Sequence, residues 1–195
     1  MTCGGGTAVV MRVGFVIFER MTALDFVGVY DPVTRLRGML FRPDLEWDVC
    51  ALAREVRDPN GLKFSATRVG ESLGTYDLVV VPGGYGTREL MTDEQFVGWL
   101  RTAADCDLKA SVCTGTLLFG AAGFLKGRRA ATHPTARAEL EKYCEVSEER
   151  VVDEGDVITA GGVTAAIDLG LHLCGRLAGV EAREKIRRQM DYHFV

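Results

Sequence analysis

Cys113 is the residue whose position in this sequence most favours a chemical role. It follows residues 108–112, a short apolar run typical of a buried strand, and the small residues Thr114 and Gly115 then open an apolar helical segment. A thiol on such a turn points out of the carboxyl edge of a sheet, and we expect the positive end of the following helix to stabilise its thiolate. Most buried cysteines are inert, but here small polar neighbours replace the large apolar ones of a core. We therefore interpret Cys113 as a nucleophile on a tight turn whose crowding Gly115 relieves.

Asp25 is a second candidate for chemistry. It lies near the start of a helical pattern that runs to about residue 40, after a predicted strand at residues 13–18. One interpretation is a helix N-cap, a common role for aspartate. The other is a carboxyl group held beside Cys113, where partial burial and a nearby thiolate would raise its pKa and keep it available as a proton donor. The sequence leaves both interpretations open.

Glycines and a histidine follow two further predicted strands. Gly83 and Gly84 follow residues 76–81, where glycines let a ligand approach the backbone and can offer amide hydrogens to an anion. The alternative for this pair is an ordinary turn. His133 follows a short strand predicted within residues 129–132, and it is either a structural histidine or part of a pocket.

The elements that must position these residues alternate between strands and helices. Most of the predicted strands are continuously apolar, which favours an α/β fold with a doubly wound, largely parallel sheet. Ligands of such sheets bind beyond the carboxyl ends of the strands. Topology alone would therefore gather Asp25, Gly83, Gly84, Cys113 and His133 on one edge.

Local signals predict how some of these elements begin and join. The Asp-Pro-Asn-Gly sequence at residues 58–61 predicts a hairpin between strands at residues 47–53 and 63–67. Thr92, with Gln95 three residues later, predicts a capping box at the start of an amphipathic helix.

Composition excludes several classes of protein. A chain of 195 residues with 47% hydrophobic and 26% charged residues is typical of one soluble globular domain. A formal net charge of -4 gives no reason to expect a nucleic-acid partner. The basic residues at 183–188 alternate with glutamates, which is typical of a solvated helix face.

We expect a flexible leader at residues 1–11 and a single domain over residues 12–195. No apolar run approaches the roughly 18 residues that span a bilayer, and no signal peptide is recognisable, so we expect a cytoplasmic protein without a membrane partner. The cysteines are widely spaced without a Cys-x-x-Cys pair, which argues against a zinc site and a disulfide framework. They are Cys3, Cys50, Cys106, Cys113, Cys144 and Cys174.

Taken together, four spaced motifs resemble the ThiJ/PfpI superfamily, which is class I glutamine amidotransferase-like. The similarity is strongest to the isonitrile hydratases, which share Leu24-Asp25, the Cys-Thr-Gly turn and a late Gln-Met-acidic-Tyr segment, here residues 189–192. AraC-type regulators carry a similar domain and append a DNA-binding region. The four motifs are Val80-Val81-Pro82-Gly83-Gly84 with Gly86, Ser111-Val112-Cys113-Thr114-Gly115, Ala131-Thr132-His133, and residues 160–168.

The resemblance implies a flavodoxin-like fold and a homodimer whose interface lies near the active sites. It also implies hydration of an isonitrile, R–N≡C, to an N-substituted formamide without a metal or an organic cofactor. Carried over by motif, Cys113 is the nucleophile, Asp25 the acidic partner and Thr114 a contributing neighbour. Gly83 and Gly84 are expected to bind the substrate, with an amide offered by Gly84, and His133 to line the pocket.

The chemistry of an isonitrile makes this assignment sensible. Its terminal carbon becomes electrophilic only on protonation, so we expect a soft nucleophile and an acid on opposite sides of a small linear group. The Cys113 thiolate would add to that carbon as Asp25 delivers a proton. Water activated by the same carboxylate would then release the formamide from a thioimidate.

Departures from the family pattern define the alternatives. Thr114 stands where superfamily proteases place histidine, so a Cys-His peptidase would lack its base. Val29 and Pro134 replace a proline and a tryptophan that are usual in the hydratases, which is expected to reshape the pocket. Two other functions use the same cysteine: a glyoxalase-like activity on 2-oxoaldehydes, and a non-enzymatic oxidation sensor.

Overall fold

The computed structural model describes residues 10–193, and the chain alternates between strands and helices along most of that length. The strands are β1 (Met11–Val16), β2 (Leu45–Ala51), β3 (Glu55–Arg57), β4 (Lys63–Ser65), β5 (Arg68–Val69), β6 (Leu78–Val81), β7 (Leu108–Val112), β8 (Arg129–Ala130), β9 (Glu145–Val146), β10 (Val151–Asp153) and β11 (Val157–Ala160). The helices are α1 (Ala23–Gly38), α2 (Thr87–Leu90), α3 (Glu94–Arg101), α4 (Gly115–Ala122), α5 (Arg137–Leu140), α6 (Ala165–Ala178) and α7 (Val180–Gln189), with 3-10 turns at Leu73–Thr75 and Pro134–Ala136.

The central sheet confirms the doubly wound prediction. Its seven described strands run in the order β10-β11-β7-β6-β1-β2-β5, and every pairing is parallel except that of β10 with β11. All residues of β6 and β7 are buried. Strands covered on both faces favour apolar side chains on both faces, which explains the wholly apolar sequence of β6. The two polar residues of β7 are buried with partners: Lys109 Nζ donates to the carbonyl of Cys106 at 2.7 Å, and the Ser111 hydroxyl lies 2.8 Å from that of Thr116.

Helices pack on this sheet in two groups and complete the flavodoxin-like sandwich. Helices α1, α6 and α7 contact one another, and α2, α3 and α4 form a second set that α5 extends through α4. The core between helices and sheet contains the fully buried side chains of Phe15, Ile17, Leu78, Leu117 and Phe119. The loops that follow β1, β6 and β7 meet above this core at the carboxyl edge of the sheet.

The predicted hairpin at residues 58–61 exists, but it joins different strands. It connects β3 to β4 in a separate two-stranded sheet, whereas β2 pairs in parallel with β1 and β5. Asp58 closes the turn, because its Oδ1 accepts hydrogen bonds from the amides of Asn60 at 2.9 Å and Leu62 at 2.8 Å. The reason is that the chain leaves the central sheet at Ala51, where β2 ends. The more polar hairpin of β3 and β4 then forms outside that sheet.

The predicted capping box is wrong by one residue. Asp93 caps α3, since its Oδ1 accepts from the amides of Gln95 at 2.8 Å and Phe96 at 3.2 Å. Thr92 lies just beyond the end of α2, and its hydroxyl instead donates to the carbonyl of Glu89 in that helix at 2.9 Å. A carboxylate is also the better partner for the positive end of a helix.

Residues 1–9, which include Cys3 and most of the expected leader, lie outside the described residues. Met11 already belongs to β1. The described cysteines, Cys50, Cys106, Cys113, Cys144 and Cys174, are free thiols. Across residues 10–193, a helix with the length and apolarity needed to cross a membrane is not found.

Candidate active site

Cys113 occupies a strained turn between β7 and α4. Its φ of 56° lies in the left-handed region, which residues with a side chain rarely adopt. Hydrogen bonds on both sides hold the turn. The Cys113 amide donates to the carbonyls of Ala160 at 2.9 Å and Gly161 at 3.1 Å, and the Cys113 carbonyl accepts from the Thr132 hydroxyl at 2.8 Å and the Thr116 amide at 3.4 Å. The geometry is that of a nucleophile elbow.

Glycine next to the turn lets the loop after β6 approach it. A Cβ atom on Gly115 would lie 2.5 Å from the carbonyl oxygen of Pro82, and one on Gly83 would lie 2.6 Å from the amide nitrogen of Thr114. Neither distance is tolerable between non-bonded atoms. The two glycines therefore allow the β6 loop and the cysteine turn to pack backbone against backbone.

Asp25 lies in the first turn of α1 and is completely buried. The helix N-cap is Thr22, so the capping interpretation of Asp25 is wrong. The carboxyl Oδ2 accepts a hydrogen bond from the Gly83 amide at 3.1 Å. Within residues 10–193, Oδ1 has no partner at hydrogen-bonding geometry, and the Cys113 thiol is close enough to affect the acidity of the carboxyl group.

Burial makes both members of this pair weak acids. It raises the pKa of Asp25 to about 7, although the Cys113 thiol and the Gly83 amide act in the opposite direction. Burial, and next the charge of Asp25, raise the pKa of Cys113 to about 12. The Thr114 amide at the start of α4 lowers the Cys113 pKa and so favours the thiolate as expected, but its effect is smaller than that of burial. Desolvation and the neighbouring carboxylate outweigh the amide and hydroxyl of Thr114, and the resting nucleophile is a thiol.

A cavity of about 300 Å³ opens in front of the thiol. Asp25 is completely buried and is not one of the residues that line this cavity. Asp25 therefore reaches the cavity only through Cys113, and the expected arrangement on opposite sides of a substrate stays a prediction. The cavity is lined by Thr22, Gly84, Tyr85, Arg88, Cys113, Thr114, His133, Thr135 and Val163.

The amides of the glycine pair hold side chains of the site. The Gly84 amide donates to the Thr114 hydroxyl at 2.9 Å, and that hydroxyl is 3.2 Å from the Gly84 carbonyl. The amide that we expected to face a substrate is therefore already engaged. Gly83 binds Asp25 in the same manner, so the loop after β6 positions both neighbours of the cysteine.

Both interpretations of His133 apply. Its Nδ1 lies 2.8 Å from the Thr135 hydroxyl and accepts from the Thr135 amide at 3.3 Å, which caps the 3-10 turn. The same ring lines the cavity. Gly162 lies between His133 and the cysteine, because a Cβ there would be 2.5 Å from Cys113 Sγ and 3.0 Å from His133 Cδ2.

Several residues around the cysteine were missed as site residues, among them Thr132, Gly162, Tyr85 and Arg88, and the lining residues Thr22, Thr135 and Val163. Thr132 and Gly162 belong to the motifs that resemble the superfamily. Thr132 directly precedes His133, and Gly162 lies in the Gly-Gly pair after β11, so their position at the end of a strand could have identified them. Tyr85 and Arg88 gave no comparable signal, because packing decides which side chains of α2 and of the loop after β6 face the cavity.

Clusters of three or more metal-ligating side chains are absent among the described residues.

A doubly wound sheet with a cysteine on a strained elbow and a buried acid beside it defines a class of α/β proteins. The chain belongs to the DJ-1/PfpI family, whose model matches residues 11–175. It is similar to a crystal structure of a ThiJ/PfpI family protein from Pseudomonas syringae, with a TM-score of 0.85 and 27% identity over 95% of this chain and 76% of that one.

Relatives of this chain have different described roles. The isonitrile hydratase of Pseudomonas putida is 35% identical over 184 residues, which cover 93% of this chain and 78% of that enzyme. Protein DJ-1alpha of Drosophila melanogaster is 28% identical over 75% of this chain and 67% of its own length. The transcriptional regulator GbdR of Pseudomonas aeruginosa is 24% identical over 94% of this chain but only 53% of the regulator.

Proposed function

We propose that this protein is a cysteine-dependent hydro-lyase that converts isonitriles into N-substituted formamides. The observation that carries the proposal is the buried Asp25 carboxyl group beside the Cys113 thiol at the wall of a small cavity. The 35% identity to an isonitrile hydratase over 93% of the chain supports the same activity.

In the first step, Asp25 as carboxylate takes the thiol proton while sulfur attacks the terminal carbon of R–N≡C. Asp25 transfers this proton to that same carbon as the C–S bond forms, because the carbon becomes electrophilic only on protonation. One C–S and one C–H bond form, the S–H bond breaks, and the product is the thioimidate R–N=CH–S–Cys113. Because hydrogen and sulfur end on one carbon, an acid that lies beside the sulfur suits this addition.

In the second step, water adds to the thioimidate carbon. Asp25 takes a proton from the water and passes it to the imine nitrogen, so that a tetrahedral R–NH–CH(OH)–S–Cys113 forms. Collapse of this intermediate breaks the C–S bond and releases R–NH–CHO, while Asp25 transfers the hydroxyl proton to sulfur. The Thr114 hydroxyl, polarised by the Gly84 amide, stabilises negative charge on sulfur in both steps.

The test is formation of N-cyclohexylformamide from cyclohexyl isocyanide, followed by mass spectrometry. Methylglyoxal is assayed in parallel, because loss of methylglyoxal without formamide formation would instead support the glyoxalase-like alternative. A third arm treats the protein with dilute peroxide and looks for oxidation of Cys113. Formamide at the level of the Cys113→Ala variant would end the hydratase proposal.

We also propose that the protein is a homodimer whose interface lies near the site. Exposed apolar side chains support this, because Leu24 and Val27 flank the buried Asp25 on α1 and Tyr85 lines the cavity. Light scattering of the eluted protein measures the mass, and Val27→Glu should shift it towards the monomer. A monomer at micromolar concentration would contradict the proposal.

A further inference from the structure

Arg88 gives the cavity a positive charge that the hydration chemistry leaves unused. It lies on the short helix α2, and its side chain is 43% exposed. Nε and Nη2 donate to the Glu139 carboxylate, with a shortest distance of 2.6 Å. Within residues 10–193, Nη1 has no hydrogen-bonding partner, so part of the guanidinium group is free to bind a ligand.

The rest of the wall carries no opposing charge. Among the described residues that line the cavity, Arg88 has the only permanent charge. Tyr85 and Val163 supply apolar surface, whereas Thr22 and Thr135 supply hydroxyl groups. Two carboxyl groups contact lining residues without lining the cavity themselves: Asp25 lies beside Cys113, and Glu139 binds Arg88.

We propose that Arg88 is a specificity-determining residue that favours substrates whose substituent carries a carboxylate. This rests on the proposed function for the reacting group, R–N≡C, and deepens it by naming the class of R. The isonitrile end meets Cys113, a short apolar stem lies against Tyr85 and Val163, and the carboxylate binds Arg88. Guanidinium groups bind carboxylates with two parallel hydrogen bonds, which makes arginine better suited than lysine to this task.

Glu139 sets the strength of this preference. It neutralises much of the Arg88 charge, so a substrate carboxylate competes with it for the guanidinium group. For a half-exposed pair the expected effect on relative rates is about two- to fivefold. Removing the Glu139 charge should increase the preference for anions, whereas removing the Arg88 charge should abolish it.

Alkylation of Cys113 tests the charge preference without any need for turnover. Iodoacetate and iodoacetamide share the reacting carbon and leaving group and differ in charge, so the ratio of their rates reports the field in the cavity. Mass spectrometry of the peptide that contains Cys113 gives both rates. We expect Arg88→Gln to lower the iodoacetate to iodoacetamide ratio by about threefold and Glu139→Gln to raise it.

Arg20 provides the matched control. It is 48% exposed and pairs with Glu89 at 2.6 Å, as Arg88 pairs with Glu139, but it is not a lining residue of the cavity. Arg20→Gln should leave the ratio unchanged. An equal decrease of the rate ratio in both variants would show that the effect comes from the net charge of the protein and not from the cavity. An unchanged ratio in Arg88→Gln would overturn the proposal.

Turnover provides the second measurement. The kcat/KM for 3-isocyanopropanoate relative to its methyl ester should fall about threefold in Arg88→Gln. If both compounds are hydrated and the variant keeps the wild-type ratio, the specificity proposal fails and the hydratase proposal stands. If neither is hydrated and the alkylation ratio still depends on Arg88, the hydratase proposal fails and the anion preference stands.

Discussion

The Asp25 carboxyl group lies beside the Cys113 thiol in a buried pair, and burial, followed by the charge of Asp25, raises the pKa of Cys113. The Gly83 amide holds Oδ2 at 3.1 Å, while Oδ1 has no hydrogen-bonding partner within residues 10–193. Such a pair titrates as a unit, and near neutral pH it exchanges between two protons and one.

The pH dependence of turnover should report the loss of the first proton from the Asp25–Cys113 pair. The singly protonated pair is the reactive form, and it appears as pH rises through the Asp25 pKa of about 7. We expect kcat/KM to rise about tenfold per pH unit below that value and to level off above it. A stopped assay between pH 5 and 9 measures the profile. A decrease through pH 7 would contradict the assignment.

Substitution of either member should remove turnover without unfolding the protein. Cys113→Ser keeps the shape but offers a far weaker nucleophile, and Asp25→Asn keeps the acceptor for Gly83 but loses the proton carrier. We expect kcat to fall at least about a thousandfold in each. Cys144→Ser, a free cysteine away from the cavity, is the control and should retain activity. Activity near wild type in Asp25→Asn would refute its proton role.

Asp25 should also make the stability depend on pH. Its pKa is raised from 3.8 to about 7 in the folded protein, so the folded state binds the extra proton between those values. Stability from this group is present below pH 4 and lost as pH rises through 7. Relative to Asp25→Asn, the wild type should therefore lose at most about 4 kcal/mol of unfolding free energy across that window.

Urea unfolding at pH 4.5, 6 and 8 measures this difference. All other titrating groups are shared, so the difference between the two proteins isolates Asp25. Parallel stability curves would show that the folded protein does not retain the proton.

Thr132 should act on the reaction by positioning the elbow. Its hydroxyl donates to the Cys113 carbonyl at 2.8 Å and is buried. Thr132→Val removes the shorter hydrogen bond to that carbonyl, leaves the longer one from the Thr116 amide at 3.4 Å, and lets the turn relax at a cost of about 1 kcal/mol. We expect kcat to fall about tenfold with KM little changed, and Thr132→Ser to restore it.

Thr159→Val is the matched control for this prediction. Thr159 is also buried, but its hydroxyl oxygen accepts from the Ala131 amide at 2.8 Å, one residue further from the cysteine turn. The control should lose stability and keep kcat. Equal losses of kcat in both variants would reduce the role of Thr132 to general stability.

Much of the framework could be predicted from local sequence. The strand at residues 108–112 matches β7 at both ends, and the turn at Cys113 follows from an apolar run meeting small residues. Parallel topology then brought Asp25, Gly83 and Cys113 to one edge, because every such strand ends there. Strand pairing beyond the next turn was less predictable. The turn at residues 58–61 joins β4 to β3, whereas the sequence predicted that it would join β4 to the strand that became β2.

The sequence by itself determined which residues stand at the carboxyl ends of the strands, since that follows from apolar runs and the small residues that end them. Only the tertiary structure decided what those residues do there. The Gly84 amide is occupied by Thr114, Arg88 faces the cavity, and the sulfur is held as a thiol. Acidity and hydrogen bonding depend on how much water is excluded and on which charges lie close in space, and no run of neighbouring residues contains either quantity.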